Sequence, residues 1–229
     1  MFGFKFIDLF AGIGGMRLAA ESNGGECVFS SEINMHASQT YSQNFGETPC
    51  GDIINIDERD IPDHDLIVAG FPCQPFSICG NKKGFDDARG TLFYEILRIA
   101  KRHNTSVLVL ENVKHFFSHD KGNTMLVVRS ALEELGYKVK AQVINAVDFG
   151  VPQNRDRTII VASKGVEFDF NNLEKRTRQP LINILERCVS FEYLDASEYE
   201  LLPDSKTKTQ KKSGLKFVGY RKKNLRKVV

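Results

Sequence analysis

Five short apolar runs, each closing on a polar or reactive residue, limit what this chain can become more than any other feature. The runs finish near Asp8, Glu32, Asp52, Gly70 and Glu111. Between them lie stretches with apolar residues three and four apart: Met16 to Ser22, Asn34 to Asn44 and Thr91 to Arg102. Repeated strand and helix alternation of this kind predicts an α/β fold with a doubly wound, mostly parallel sheet, whose ligands gather along the carboxyl edge of the strands. Met125 to Leu135 reads as a further helix stopped by Gly136, and Tyr137 to Ala146 and Thr158 to Ser163 as two more strands. Beyond Lys164 the pattern weakens to one helix around Pro180 to Arg187 and then polar sequence.

The carboxyl edge so defined collects the chemistry. The first strand runs into Ala11-Gly12-Ile13-Gly14-Gly15, a glycine turn opening a helix, and Glu32 ends the second strand about twenty residues later, where nucleotide-binding α/β folds keep a carboxylate for ribose hydroxyls. Cys73 follows the buried-looking run His64 to Ala69 and stands between Pro72 and Pro75, each of which fixes one backbone dihedral. A thiol in a stiff loop at a sheet edge suits a nucleophile, while a free cysteine also serves often as a small buried hydrophobe. The glycine-bearing loop from Ile78 to Gly90 is long enough to close over a substrate. Gln153, Arg155 and Arg157 alternate, so in an extended segment they share one face, although exposed arginines there could equally pair with Asp148 or Asp156.

Composition narrows the classes. With 229 residues and 41% hydrophobic content the chain can bury a core in one main domain. No leader precedes the first strand and no apolar run approaches the ~18 residues of a membrane span, so the expectation is a cytoplasmic protein with no membrane partner. The five cysteines form no Cys-x-x-Cys pair, which disfavours a disulfide framework and structural zinc; His115 and His119 have helical ligand spacing but no third ligand nearby, so no metal is expected. From Ser205 onward there are ten Lys or Arg and no acid, leaving 21 basic against 29 acidic residues before it. Such a tail attracts a phosphate backbone, and is also what a solvated terminus looks like. The expected division is 1–165 as catalytic and cofactor domain, 166–204 as a peripheral extension and 205–229 as the basic tail.

The order and wording of five blocks resemble the DNA (cytosine-5) methyltransferases. These are Asp8 to Gly15, Gly70-Phe71-Pro72-Cys73-Gln74-Pro75-Phe76-Ser77, Arg89 to Phe93, Glu111-Asn112-Val113, and Gln153 to Arg157. The Pro-Cys-Gln block is specific; the glycine turn and Glu-Asn-Val are weak alone. The resemblance implies the Rossmann-like fold of S-adenosylmethionine-dependent methyltransferases, double-stranded DNA as substrate, and S-adenosylmethionine as cofactor. It also implies Phe10 against the adenine, Gly12, Gly14 and Gly15 beside the amino-acid portion, Glu32 on the ribose and Asp52 on the adenine amine, with Ile33, Ile53 and Leu92 completing the pocket. Phe71, Pro72, Gln74 and Ser77 belong to the substrate loop.

The chemistry wants these residue types in any case. Carbon 5 of cytosine is a poor nucleophile until a thiolate, here Cys73, adds to carbon 6. An acid at ring nitrogen 3, Glu111, relieves the charge that arrives on the ring, and Arg155 and Arg157 orient the base carbonyl, with Gln153 holding them. The family's target-recognition region, Arg-rich block and closing Asn-bearing block are not visible, which predicts a partner chain that carries them. The alternatives are an inactive fragment, a noncatalytic nucleic-acid-binding relative and, remotely, an NAD-type oxidoreductase using the same sheet edge.

Overall fold

The computed structural model describes residues 3–72 and 91–184, together with the backbone of five short strands beyond them. The chain divides into two compact units, one made of 1–144 and 156–173, the other of 145–155 and 174–229.

The first unit is a six-stranded sheet in the order β2-β1-β3-β4-β6-β5. The strands are β1 (Phe4–Leu9), β2 (Gly25–Ser31), β3 (Leu66–Gly70), β4 (Val107–Val113), β5 (Lys138–Asn145) and β6 (Asp156–Ser163). β1 pairs in parallel with both β2 and β3, and β3 with β4. From β1 the chain first moves to one side and then returns to the other, so the crevice past the ends of β1 and β3 is a topological switch point, where open α/β sheets bind ligands. β6 runs antiparallel to β4, pairing Val107 with Ser163 and Val113 with Arg157.

Both faces of the central strands are buried, as continuous apolar runs require. Ile7, Leu9, Ile67, Ala69, Leu108 and Leu110 lie in one core, while Phe6 and Val68 turn to the opposite face with Ala20 of α1 (Gly15–Glu21). Helix α2 (Met35–Phe45) starts at Asn34, whose side chain accepts the amide hydrogens of His36 and Ala37. Helix α3 (Leu92–His103) buries Phe93, Ile96, Leu97, Ile99 and Ala100, an apolar stripe at helical spacing. α4 (Asn123–Glu134) buries Met125, Val128, Ala131 and Leu132, and Gly136 turns the chain at φ +85°.

Three sequence expectations change. The short strand expected before Asp52 is only a bridge between Ser31 and Cys50; Pro49 offers no amide hydrogen, and Asp52 instead caps a 3-10 turn, Ile53–Asn55. The segment 151–155 is bent around Pro152, with Asn145 Oδ1 accepting from Val147 and Arg155, so Gln153 and Arg155 do not alternate with Arg157 on one strand face. They fall in the second unit and Arg157 in the first. The helix expected around Pro180 is a single 3-10 turn, Leu181–Asn183, with 185–187 outside the described residues.

In the second unit, Phe149 bridges to Arg176 and Arg178 pairs with Asp148 at 2.9 Å. β10 (Gly219–Arg221) lies between β7 (Tyr199–Leu201) and β11 (Arg226–Val228), both antiparallel, and β8 (Lys208–Thr209) pairs with β9 (Lys216–Phe217). Parts of the basic tail therefore have strand backbone. No described helix is long and apolar enough to cross a membrane.

Candidate active site

A cleft of about 420 Å³ opens at the switch point, lined by Phe10, Ser31, Glu32, Ile33, Gly51, Asp52, Ile53, Ile54, Gly70, Pro72 and Leu92. Six of the nine residues expected around a cofactor, Phe10, Glu32, Ile33, Asp52, Ile53 and Leu92, share this one space. Gly12, Gly14 and Gly15 do not line it but shape the turn beside it.

Glu32 fastens that turn. One carboxylate oxygen accepts the Gly12 amide at 2.7 Å and the other the Asn34 amide at 2.7 Å. Each oxygen keeps a second lone pair for a ligand hydroxyl. Phe10 holds a left-handed backbone (φ +55°), an uncommon conformation for a bulky side chain and one that marks a constrained, functional turn. Asp8, 1% exposed beneath the turn, has one oxygen without a hydrogen-bond partner. Burial pushes its carboxyl up to about 8, with the Arg17 guanidinium pulling it down and Glu32 pushing it further up.

The edge continues from the cleft to Glu111. Gly70 lines the cleft and is the register partner of Glu111, and a Cβ at Gly70 would stand 3.6 Å from Glu111 Oε2. Arg157 Nε meets Glu111 Oε1 at 2.6 Å, and Arg157 Nη1 donates to the Asp156 carbonyl. The pair joins residues far apart in sequence because β6 is antiparallel and brings its first residues to the end of β4. Lys114, just past β4, pairs with Asp156 at 3.0 Å.

Phe71, assigned with Pro72 to the substrate loop, has its side chain buried (3% exposed), 5.5 Å from Phe93 and 5.4 Å from Phe116. Asn112 donates from its buried amide to the Phe71 carbonyl at 3.0 Å. Cys73, Gln74 and Ser77 lie outside the described residues. His119 is engaged with Thr124 Oγ1 at 2.7 Å. Sequence reasoning passed over Asn112 and Arg98; the latter's only visible signal is a Glu95 three residues earlier on the same helix face.

A Rossmann-like α/β sheet with a cleft at its switch point, joined through Gly70 to a carboxylate–guanidinium pair, is the arrangement of the ligand-binding open α/β folds. The model of the family described as C-5 cytosine-specific DNA methylase matches residues 4–227, and the chain belongs to that family. It is 54% identical over 159 residues to the type II methyltransferase M.HhaI of Haemophilus parahaemolyticus, covering 69% of this chain and 49% of that protein. It is 47% identical over 225 residues to M1.ScrFI of Lactococcus lactis subsp. cremoris, covering 95% and 57%. The chain thus spans about half the length of these relatives. Among solved structures it is similar to a mutant of Spodoptera frugiperda DNMT2, with a TM-score of 0.64 at 26% identity over 87% of this chain and 62% of that one.

Proposed function

We propose that this chain carries the catalytic part of a DNA methyltransferase that moves a methyl group from S-adenosylmethionine to carbon 5 of cytosine through a covalent bond to Cys73. The observation that carries the reading is the continuity of the edge: the cleft, Gly70 and the Glu111–Arg157 pair form one line, and Cys73 follows Pro72 of the cleft wall in sequence.

The cleft suits the cofactor. Its volume falls within the roughly 300–1,000 Å³ of small-molecule sites. Glu32 offers lone pairs to a ribose diol, Phe10 a ring face, Asp52 an acceptor for the adenine amine, and Ile33, Ile53 and Leu92 apolar walls. When bound, the cofactor supplies an electrophilic methyl on a positively charged sulfur. The chain's own residues do the rest. The Cys73 thiolate bonds to carbon 6, and the electrons of the ring double bond reach carbon 5, which takes the methyl while the carbon–sulfur bond of the donor breaks. Glu111 hydrogen-bonds or protonates ring nitrogen 3, and Arg157 fixes the Glu111 carboxyl so that its other oxygen, over Gly70, faces the edge. Loss of the carbon 5 proton to a base and departure of the thiolate from carbon 6 restore the ring.

Target recognition we assign to a partner chain. The basic stretch from Ser205 supplies attraction to phosphates without sequence preference. The setting would be the bacterial cytoplasm, where a type II methyltransferase meets its DNA.

The test is trapping on duplex DNA containing 5-fluorocytosine, whose fluorine blocks the last elimination. Co-expressed with the adjacent reading frame, this chain should form a denaturation-resistant adduct that Cys73→Ala abolishes. An adduct that survives in Cys73→Ala refutes the assignment, and full sequence-specific methylation by this chain alone refutes the partner.

A further inference from the structure

One wall of the cleft belongs to no strand or α-helix. Between the bridge at Cys50 and β3, the chain that presents Asp52, Ile53 and Ile54 runs through two single 3-10 turns, Ile53–Asn55 and Glu58–Asp60. Turns this short carry few bonds of their own: Asn55 donates to Asp52, Ile56 to Ile53 and Asp60 to Asp57. A segment so lightly tied keeps a fixed shape only when something outside it holds it.

Burial of Ile53 and Ile61 and a contact of His103 Nε2 with the Glu58 carbonyl contribute, but the one side chain that bonds to both turns and the carbonyls of Ile53 and Ile56 is Arg98, in the middle of α3. Nη2 donates to the carbonyls of both Ile53 and Ile56 at 2.8 Å, Nη1 meets Glu58 at 2.7 Å, and Nε meets Glu95 at 2.6 Å. The side chain is only 14% exposed, and two carboxylates, Glu58 and Glu95, share its single positive charge. The planar fork suits this set of partners, because a lysine ammonium reaching the same place could not face two carbonyls and two carboxylates at fixed angles. Leu92, the first residue of the same helix, lines the cleft. One rigid helix therefore supplies a lip of the pocket and clamps the wall that carries Asp52 and Ile53.

We infer that Arg98 is a positioning residue for cofactor binding, which pre-forms the wall carrying Asp52 and Ile53 and so spares the ligand the cost of ordering it. The inference rests on the reading that the cleft takes S-adenosylmethionine. If Arg98 merely stabilised the fold, its loss would lower the melting temperature and leave the folded molecules' affinity unchanged.

The experiment is hydrogen exchange of the full chain with and without S-adenosylmethionine, paired with calorimetric titration, on wild type, Arg98→Gln and Arg98→Lys. In the wild type the cofactor should slow exchange at 10–12, 32–34 and 53–56. In both variants protection at 10–12 and 32–34 should persist, protection at 53–56 should be lost, and the dissociation constant should rise about tenfold. Equal protection at 53–56 and affinity within about twofold of wild type would overturn the inference while leaving the cofactor reading intact. No protection anywhere in the wild type would overturn the cofactor reading, and the inference with it. Should neither Arg98 variant fold, Glu58→Ala removes one clamp contact from a partly exposed position; a smaller loss of protection at 53–56 supports the inference, and none refutes it.

Discussion

Alanine at Gly14 should cost far more than alanine at Gly12, two residues away in the same turn. Both glycines have positive φ, +91° and +57°, so either substitution places a side chain in the left-handed region at about 1–2 kcal/mol. At Gly12 nothing lies within 4 Å of the added carbon, and strain is the whole effect. At Gly14 the new Cβ would sit 2.0 Å from Cε2 of Phe45 and 2.6 Å from Cζ. That ring cannot simply swing away, because the Arg17 guanidinium lies 4.3 Å over it and Tyr41 packs 4.7 Å from it. Overpacking of this sort adds about 1–3 kcal/mol, for a total of about 2–5 kcal/mol. Urea unfolding of the two variants, compared at unchanged denaturant slope, measures the difference. In a double-mutant cycle Phe45→Ala should offset part of the Gly14→Ala penalty, since it removes the atoms in the way. Equal costs for the two alanines, or additivity with Phe45→Ala, would show that the turn does not pack on α2 as described.

Glu32→Ala should weaken S-adenosylmethionine binding, whereas Glu111→Gln should leave binding nearly intact and slow the chemical step by about 10²-fold or more; calorimetry and single-turnover methylation in the assembled enzyme would expose the reverse pattern. Asn112→Ala strands the Phe71 carbonyl and should destabilise by about 1–3 kcal/mol, with adduct formation on 5-fluorocytosine DNA slowed and cofactor affinity kept; unchanged trapping argues against an anchoring role. His64 is buried against Thr105 Oγ1 and the Pro62 carbonyl, and burial, with His103 nearby, lowers its pKa from 6.5. The unfolded chain thus takes up a proton there before the folded one does, so stability should be unaffected above pH 6.5 and fall as pH drops below it through the folded value. His64→Gln should flatten that acid limb of the unfolding curve, and an unaltered limb would assign the dependence elsewhere.

Much of the site was legible because it sits at strand ends. A run such as Lys5 to Leu9 announces its strand locally, and the residues after a parallel strand must appear at the carboxyl edge; Glu32 could be placed on that logic alone, while Phe10 and Leu92 entered through the family resemblance. Asn34 as the start of α2 and Gly136 as the stop after α4 were equally local. The misses were set by distant partners. Arg98 reads as one more charge on a polar helix face until the carbonyls of Ile53 and Ile56 are seen 45 and 42 residues away. The alternation of Gln153, Arg155 and Arg157 was real in the sequence, but Pro152 and the Asn145 side chain bend the backbone that would have expressed it.

The antiparallel course of β6 also makes a handle. Because Ser163 pairs with Val107, and Lys164 donates to the Ser106 carbonyl, the chain leaves the sheet at the pole opposite the cleft. The seven residues of β4 separate the two poles by about 20 Å at roughly 3.3 Å per residue. Val166, in the turn just beyond, is 88% exposed and packs on little. An azide-bearing residue introduced there could carry a dye or a surface tether without modifying the exposed Cys50 or Cys73, the proposed nucleophile, and would leave the cleft facing solution, so that arrival of the proposed cofactor and DNA can be watched on immobilised molecules.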